Sequence, residues 1–333
     1  MKRLTIGVLA IYLASILLTG CTIGDTEYVL DLEAVVPQGN HVFAINGSKC
    51  TQEEAKLYLC NYQNLYGSEY GMNLWEHDFG AMNQDETLEA YVKDITLSQL
   101  ANIICMNLLA DNKEITLTDV EQRMVGVAAE EYYKSLSRAE LDYMGIDLEL
   151  LKDCYERYAI AERLYATLTQ GVNEEVSDDE ARVIRVQQIY VSTQETALEV
   201  QKKLAEGDDF ASVASNYNEA DTIETTIKRG DYPYEVDMAA FNLDNKQQSD
   251  MIVTSNGYYF IKCLNKFERE LTEQNKISII AQRQKQQFDD VFHAFIVASE
   301  FELNEEIWDD IDPDTTGVIT TDSFFEVYDK YFN

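Results

Sequence analysis

Histidine is the scarcest chemically versatile residue in this 333-residue chain, with His41, His77 and His293 the only three. So few imidazoles leave little room for histidine-based acid–base chemistry or for zinc. Proline is equally rare at 3 and glycine numbers 15, so long uninterrupted elements are expected, helices above all. Positive charge is short too: 26 basic side chains stand against 60 acidic ones, a formal net charge of -34. A polyanion gains nothing from a phosphate backbone, which excludes nucleic acid as a partner. There is no Cys-x-x-Cys pair, glycine-rich phosphate loop, nucleophile elbow or His-Glu-x-x-His motif, and neither a cofactor nor a metal is expected. What is plentiful is apolar and aromatic: 46% hydrophobic residues with 21 Tyr, 13 Phe and 2 Trp rule out a disordered acidic chain. The length suffices for one large core or two smaller ones.

The start of the chain reads as an address. Met1-Lys2-Arg3 is a short positive stretch, residues 4–18 are almost wholly apolar, and Leu18-Thr19-Gly20-Cys21 closes the run. That order describes a secretory signal over residues 1–20 and is too short for a comfortable membrane span. Leu-Thr-Gly-Cys resembles a bacterial lipobox, which implies cleavage before Cys21 and a lipid on its thiol. Residues 21–40 then form a tether broken at Pro37-Gln-Gly39-Asn, and the body is expected outside the cytoplasmic membrane, anchored by lipid. Removing Lys2 and Arg3 leaves 24 basic against 60 acidic residues, or -36. That charge repels anionic lipid and wall polymer or serves solubility alone. Of the five other cysteines, an odd number, Cys60, Cys105 and Cys154 sit in apolar helical patterns as small core residues.

Residues 41–176 read as a helical region after a short strand, His41-Val-Phe-Ala-Ile-Asn46-Gly47. Thr51-x-x-Glu54 has the form of a capping box opening a helix to about residue 66, followed by a loop over 67–80. A long helix is expected over 85–112, another from Thr118-x-x-Glu121 to about Met144, and a third from Asp147 with Leu151, Cys154, Tyr158 and Leu164 on its stripe. Ser177-x-x-Glu180 is a further box. The pattern then changes: residues 180–268 alternate short β-rich runs with short helices, a compact α+β insertion. Residues 272–299 return to a helix whose Ile277, Ile280, Phe288, Val291, Phe292 and Phe295 need the N-terminal helices as partners. Residues 300–333, with 11 acids and one Lys, read as a solvated acidic tail. Within it Asp310-Ile-Asp-Pro-Asp-Thr-Thr-Gly317 imitates a calcium loop but lacks Gly at the turn and Glu at the twelfth position.

Together these segments resemble the PrsA- and SurA-type foldases with an inserted parvulin domain. The resemblance rests on Val42-Phe-Ala-Ile-Asn-Gly47 and Asn112-Lys-Glu-Ile-Thr-Leu-Thr118 in the first part. In the insertion it rests on Arg185-Val-Gln-Gln-Ile-Tyr-Val191, Gly207-Asp-Asp-Phe-Ala211, Arg229-Gly-Asp231, Ala239-Ala-Phe-Asn-Leu243 and Thr254-Ser-Asn-Gly-Tyr-Tyr-Phe-Ile261. It implies an α+β fold, a mainly helical chaperone-like body of N- and C-terminal segments carrying a small parvulin-like α/β domain. It also implies rotation about X-Pro bonds, whose barrier is about 18–20 kcal/mol, by binding the twisted amide better than the planar one.

The family's cup carries two histidines. Where the first is expected this chain has Gln188, and where the second is expected it has Tyr259 after Gly257-Tyr258; residues 183–270 hold no His. Asp221 takes the acidic position only with a one-residue slip, and Thr254 matches. The loop after Asp231 is cut to Tyr232-Pro-Tyr-Glu-Val236, so the proline-contacting positions become Val236, Met238 and Phe241. The register of one residue leaves open whether Tyr258 or Tyr259 faces the cup.

The expected function is a lipid-anchored extracytoplasmic foldase or chaperone for unfolded secreted polypeptides, with a parvulin-like domain that has lost its usual histidines. Association into a homodimer is left open. One alternative is an active prolyl isomerase using Gln188 and Tyr259, since both can hydrogen-bond to the amide. A second is a solute-binding lipoprotein, a class that needs two strand-rich lobes.

Overall fold

The computed structural model describes residues 4–7, 27–30, 39–70, 87–314 and 316–332. Cys21, His77 and most of the leader and tether lie outside the described residues. The chain divides into two units, 1–170 with 287–333, and 171–286. It is mainly helical with one small α/β unit, as the resemblance implies.

In the first unit, β1 (Leu4–Gly7) pairs antiparallel with β2 (Glu27–Leu30). The strands β3 (His41–Ile45) and β4 (Ser48–Thr51) form a hairpin through Asn46-Gly47, both at positive φ, the geometry a two-residue hairpin turn requires. Helix α1 (Gln52–Tyr70) follows. Thr51 Oγ1 accepts from Glu54 N at 3.2 Å, but the Glu54 carboxylate does not complete the box. It is buried in a two-pronged pair with Arg157 Nη1, at 3.0 and 2.9 Å.

Thr87 caps α2 (Leu88–Asn112) and Thr118 with Glu121 makes a complete capping box for α3 (Asp119–Ser135). The single helix expected to Met144 is broken, because Ser137 and Glu140 form a second full box that starts α4 (Arg138–Met144). Asp147 caps α5 (Leu148–Thr169), whose Leu151, Cys154, Tyr158 and Leu164 are buried as the stripe predicts.

The second unit begins with α6 (Asp178–Ala181), capped by Ser177. It continues through β5 (Val183–Val191), α7 (Gln194–Glu206), α8 (Phe210–Tyr217), β6 (Glu224–Lys228), α9 (Tyr234–Phe241), β7 (Ile252–Thr254) and β8 (Gly257–Asn265). The four strands form one antiparallel sheet in the order β6-β5-β8-β7. Alternation along the strands divides its faces. Ile184, Val186, Ile261 and Cys263 pack with Val236, Ala240 and Phe241 of α9. Ile189, Val191 and Phe260 pack with Val200, Phe210 and Val213 of α7 and α8.

Helix α10 (Arg269–Val297) ends in the first unit, where Phe288, Phe292 and Ile296 join the core and Phe288 meets Tyr165 at 5.1 Å. Ile277, expected on that stripe, is instead exposed. Residues 300–333 are not the solvated tail their charge suggests. β9 (Phe301–Leu303) adds to β3, α11 (Glu305–Asp309) buries Trp308, and α12 (Phe324–Phe332) buries Phe324, Phe325 and Tyr328. The apolar spacing of this segment outweighs its charge, since its acids can stay on the wet side while the rings turn inward. The calcium-like loop is also satisfied internally: the Asp314 carboxylate accepts from Thr316, Val318 and Ile319 amides at 2.9–3.0 Å and from the Thr316 hydroxyl.

Phe324 stacks on Tyr155 with centroids 4.3 Å apart and planes 4° from parallel, inside a ring cluster with Tyr58 and Tyr132. Phe324→Ala is expected to destabilise this unit by about 3–5 kcal/mol in urea unfolding followed by near-ultraviolet dichroism.

Acid should act on the same segment. Burial pushes the Asp314 and Glu140 carboxyls up, but hydrogen bonds outweigh it and hold both below the ordinary range: Thr316, Ile319 and Val318 bond to Asp314, and Ser137 and Thr320 to Glu140. Their stabilisation is therefore full above the ordinary carboxylate pKa of about 4 and is lost as pH falls through the lowered values. Burial raises Glu162 despite the bond from the Tyr328 hydroxyl, so its protonation favours the folded state. Thermal stability of the unit should gain from Glu162 as pH falls towards the ordinary carboxylate range and drop below about 4, and Asp314→Asn with Glu140→Gln should flatten the acid limb.

Candidate functional site

The face of the small sheet under α9 carries the residues singled out for a prolyl cup. Gln188 lies opposite Ile261 on β5 and β8, and Tyr190 lies opposite Tyr259. Residues 188 and 259 are thus diagonal neighbours on one face, within reach of long side chains. Tyr259 packs with the α9 cluster and Tyr258 with the α7–α8 cluster, so Tyr259 and not Tyr258 shares the face of Gln188.

Gln188 is only 4% exposed and its amide is committed at both ends. Its Oε1 accepts from Tyr232 Oη at 2.8 Å, and its Nε2 donates to the Thr222 carbonyl at 3.0 Å. That carbonyl belongs to a loop fixed by Asn218, whose Nδ2 donates to Thr222 O and Ala220 O while its Oδ1 accepts from Tyr190 N. Asp221 sits on this loop with its side chain exposed and without a bond to Gln188 or Tyr259 among the described residues.

Three tyrosine rings line the face beside Gln188. Tyr259 lies 4.8 Å from Tyr190 and 6.0 Å from Tyr232, the latter edge-on at 85°. Burial raises the Tyr232 and Tyr259 hydroxyls above the ordinary phenol value; Gln188 partly offsets this at Tyr232, and Tyr190 adds to it at Tyr259. Both phenols stay protonated in any physiological medium, and neither they nor Gln188 can exchange a proton there. Tyr190 Oη donates to the Asn256 carbonyl at 2.6 Å, which draws its ring over the hairpin. Gly257 admits that ring: at φ +149° an added Cβ would lie 2.7 Å from both Tyr190 Cε2 and the Val191 carbonyl. Thr254 Oγ1 donates to Gly257 O at 2.9 Å, so its hydroxyl closes the turn.

The three ring-binding candidates are divided. Val236 and Phe241 are buried, whereas Met238 is 43% exposed on the same helix. The Phe241 ring is flanked by guanidinium groups of Arg229 at 4.6 Å and Arg182 at 5.2 Å, both also paired with Asp179. The sequence reading missed Tyr232, Tyr190 and Asn218. Tyr190 was legible from strand alternation, being two residues from Gln188. Tyr232 and Asn218 are loop residues without a periodic signal.

Among the described residues no group of three or more His, Cys, Asp or Glu could hold a metal, and no helix is long and apolar enough to cross a membrane. The five described cysteines are buried and unpaired, and burial pushes the Cys60 and Cys105 thiols up to about 12, which makes them unreactive.

The small unit is an antiparallel sheet with one polar, aromatic face beneath a short helix, and the other unit is mainly helical. No family model matches the chain. It is 26% identical over 247 residues to the foldase protein PrsA of Caldanaerobacter subterraneus subsp. tengcongensis, covering 67% of this chain and 73% of that one. It is 26% identical over 201 residues to foldase protein PrsA 3 of Bacillus anthracis, covering 58% and 69%. A crystal structure of the peptidylprolyl isomerase PrsA from Bacillus cereus is matched over 74% of this chain and 96% of its own at 20% identity, with a TM-score of 0.39. The relatives bear out the resemblance to PrsA-type foldases.

Removing the Tyr232 hydroxyl leaves a buried acceptor on Gln188 unpaired. Tyr232→Phe should destabilise the small unit by about 1–3 kcal/mol, read from hydrogen exchange of the β5 amides.

Proposed function

We propose that this protein is an extracytoplasmic foldase, anchored by lipid on Cys21, that binds unfolded secreted chains and has kept the parvulin cup while losing most of its catalysis. The observation that carries this reading is the commitment of Gln188: the residue standing at a histidine position spends both ends of its amide on Tyr232 and Thr222. A group locked in that way holds the cup's shape and gains little by turning towards a twisting prolyl amide, whereas catalysis needs contacts that strengthen in the transition state. The rings of Tyr190, Tyr232 and Tyr259 offer an apolar surface with polar edges, suited to a proline-containing segment. Met238 supplies an exposed, adaptable contact beside them. Asp221 and Thr254 contribute to loop and turn geometry in this reading.

An active isomerase remains the second reading on one specific ground: the Tyr259 hydroxyl has no partner among the described residues and stays protonated, so it is free to donate to a substrate carbonyl. Prolyl isomerisation on a tetrapeptide panel, run with aggregation suppression on the same sample, separates the two. Suppressed aggregation with no catalysis above background is the expected result. Catalysis that disappears in Tyr259→Phe and Gln188→Ala would replace the first reading by the second. The anchor is checked separately: Cys21→Ser should move the protein from the detergent phase to the aqueous phase on partitioning.

A further inference from the structure

In the first unit, residues 311–314 and 316–323 follow no regular secondary structure, yet helix side chains bond their main chain at Asp312, Asp314, Ile319, Thr320 and Thr321. Gln63 makes a reciprocal pair with one residue, its Nε2 donating to the Asp314 carbonyl and its Oε1 accepting from Asp314 N at 3.1 Å. Asn64 Nδ2 donates to the carbonyls of Ile319 and Thr321, at 3.2 and 2.8 Å. Glu140 accepts from Thr320 N at 3.0 Å, and Tyr143 Oη donates to the Asp312 carbonyl. At the start of α12, Asn61 Oδ1 accepts from Phe324 N at 3.0 Å and Tyr155 Oη donates to Phe324 O at 2.8 Å.

These bonds read backbone, and they come from α1, α4 and α5. Asn61 and Gln63 are 0% and 1% exposed, an expensive use of buried amides if the only task were filling a core. Side-chain capture of an extended main chain, followed by an aromatic helix face lying in a groove, combines two known ways of holding a peptide. Sequence selectivity falls to the rings, Phe324, Phe325 and Tyr328, at spacing i, i+1, i+4. Outside the groove, α12 is fastened at its rim by Lys330 Nζ and Tyr331 Oη on the Glu131 carboxylate.

We propose that this groove is a peptide-binding site whose resident ligand is the chain's own segment 311–332, and that it yields to an unfolded polypeptide segment of the same pattern. That pattern is an extended stretch followed by an amphipathic helical turn with aromatics at i, i+1 and i+4. The nature of the partner rests on the foldase reading above. A tethered resident competes at an effective concentration on the order of millimolar, so exchange is weak and readily reversed, and a client is released when the resident returns.

The test uses the full chain with Glu131→Cys and Lys330→Cys, positions whose native side chains meet at their tips, bridged by a disulfide-containing bismaleimide so that cross-linking locks α12 in place and reduction frees it. The five described native cysteines are buried and do not compete, and Cys21 is replaced by Ser. The probe is a fluorescein-labelled synthetic peptide of residues 311–332 followed by anisotropy. It should bind the reduced protein at least about tenfold more tightly than the locked one, a difference of about 1.4 kcal/mol. Equal binding to both forms, or none to the reduced form, would overturn the inference. Lys330→Ala, which frees α12 at its exposed rim and leaves the buried rings in place, should tighten peptide binding several-fold, and an unchanged affinity counts against the inference. Aggregation suppression is measured in parallel. Its absence from both forms while peptide exchange persists would sink the foldase reading and leave the groove standing.

Discussion

The stack of Phe324 on Tyr155 joins stretches of chain 169 residues apart, and the organisation of the larger unit depends on it. Helices α1, α3 and α5 present Tyr58, Tyr62, Tyr132, Tyr155 and Tyr158 towards one another, all nearly or wholly buried. A tyrosine is buried without loss only when its ring is covered and its hydroxyl is paired. The returning segment does both for two of them: its rings cover Tyr132 and Tyr155, the Tyr132 hydroxyl shares a hydrogen bond with the Thr321 hydroxyl, and the Tyr155 hydroxyl donates to the Phe324 carbonyl. The scarcity of basic residues makes this solution necessary. With acids outnumbering bases so heavily, few ion pairs are available for internal use, and Glu54–Arg157 and Glu121–Arg163 are among the few that tie distant elements of the unit.

The smaller unit solves a different problem with the same residue type. The polar groups on the face under its short helix neither gain nor lose charge, because residues 183–270 hold no histidine and its phenols are partly buried. Gln188 is neutral at every pH, and burial keeps the Tyr232 and Tyr259 phenols protonated. The face is therefore electrically quiet, and its shape is fixed by hydrogen bonds between neutral partners. Charge is kept to the rim, where Arg182 and Arg229 share Asp179 across the Phe241 ring.

Much of this was legible in the sequence where a local rule acts alone. Thr118-x-x-Glu121 predicted the start of α3, and the stripe of α5 predicted its buried face, because both depend on neighbours one turn away. The break between α3 and α4 was equally local, in Ser137-x-x-Glu140, but was hidden by the continuing apolar rhythm. Glu54 shows where local rules stop: its spacing fits a capping box, and only the fold reveals that Arg157, 103 residues away, takes the carboxylate. On the small sheet, alternation puts one of Tyr258 and Tyr259 on the face of Gln188 and only the pairing register shows that it is Tyr259, while Tyr232 reaches Gln188 through a loop that no periodicity describes. The acidic end of the chain misled for a physical reason. Charge counts describe what faces water, and they are silent about a stripe of rings on the other side of the same helix.

The division of the chain has a consequence for the order in which it acquires structure. The smaller unit is continuous over 171–286, whereas the larger one needs residues before 171 and after 286. A ribosome delivers the first before the second, so the sheet of the smaller unit can pair while the larger unit still lacks Phe324 and its neighbours. Contacts separated by about half the chain form late, because the intervening loop must first be closed against its entropy. During that interval the nascent N-terminal helices carry uncovered tyrosine faces, and the protein itself passes through a stage with the same exposed surface as an unfolded chain.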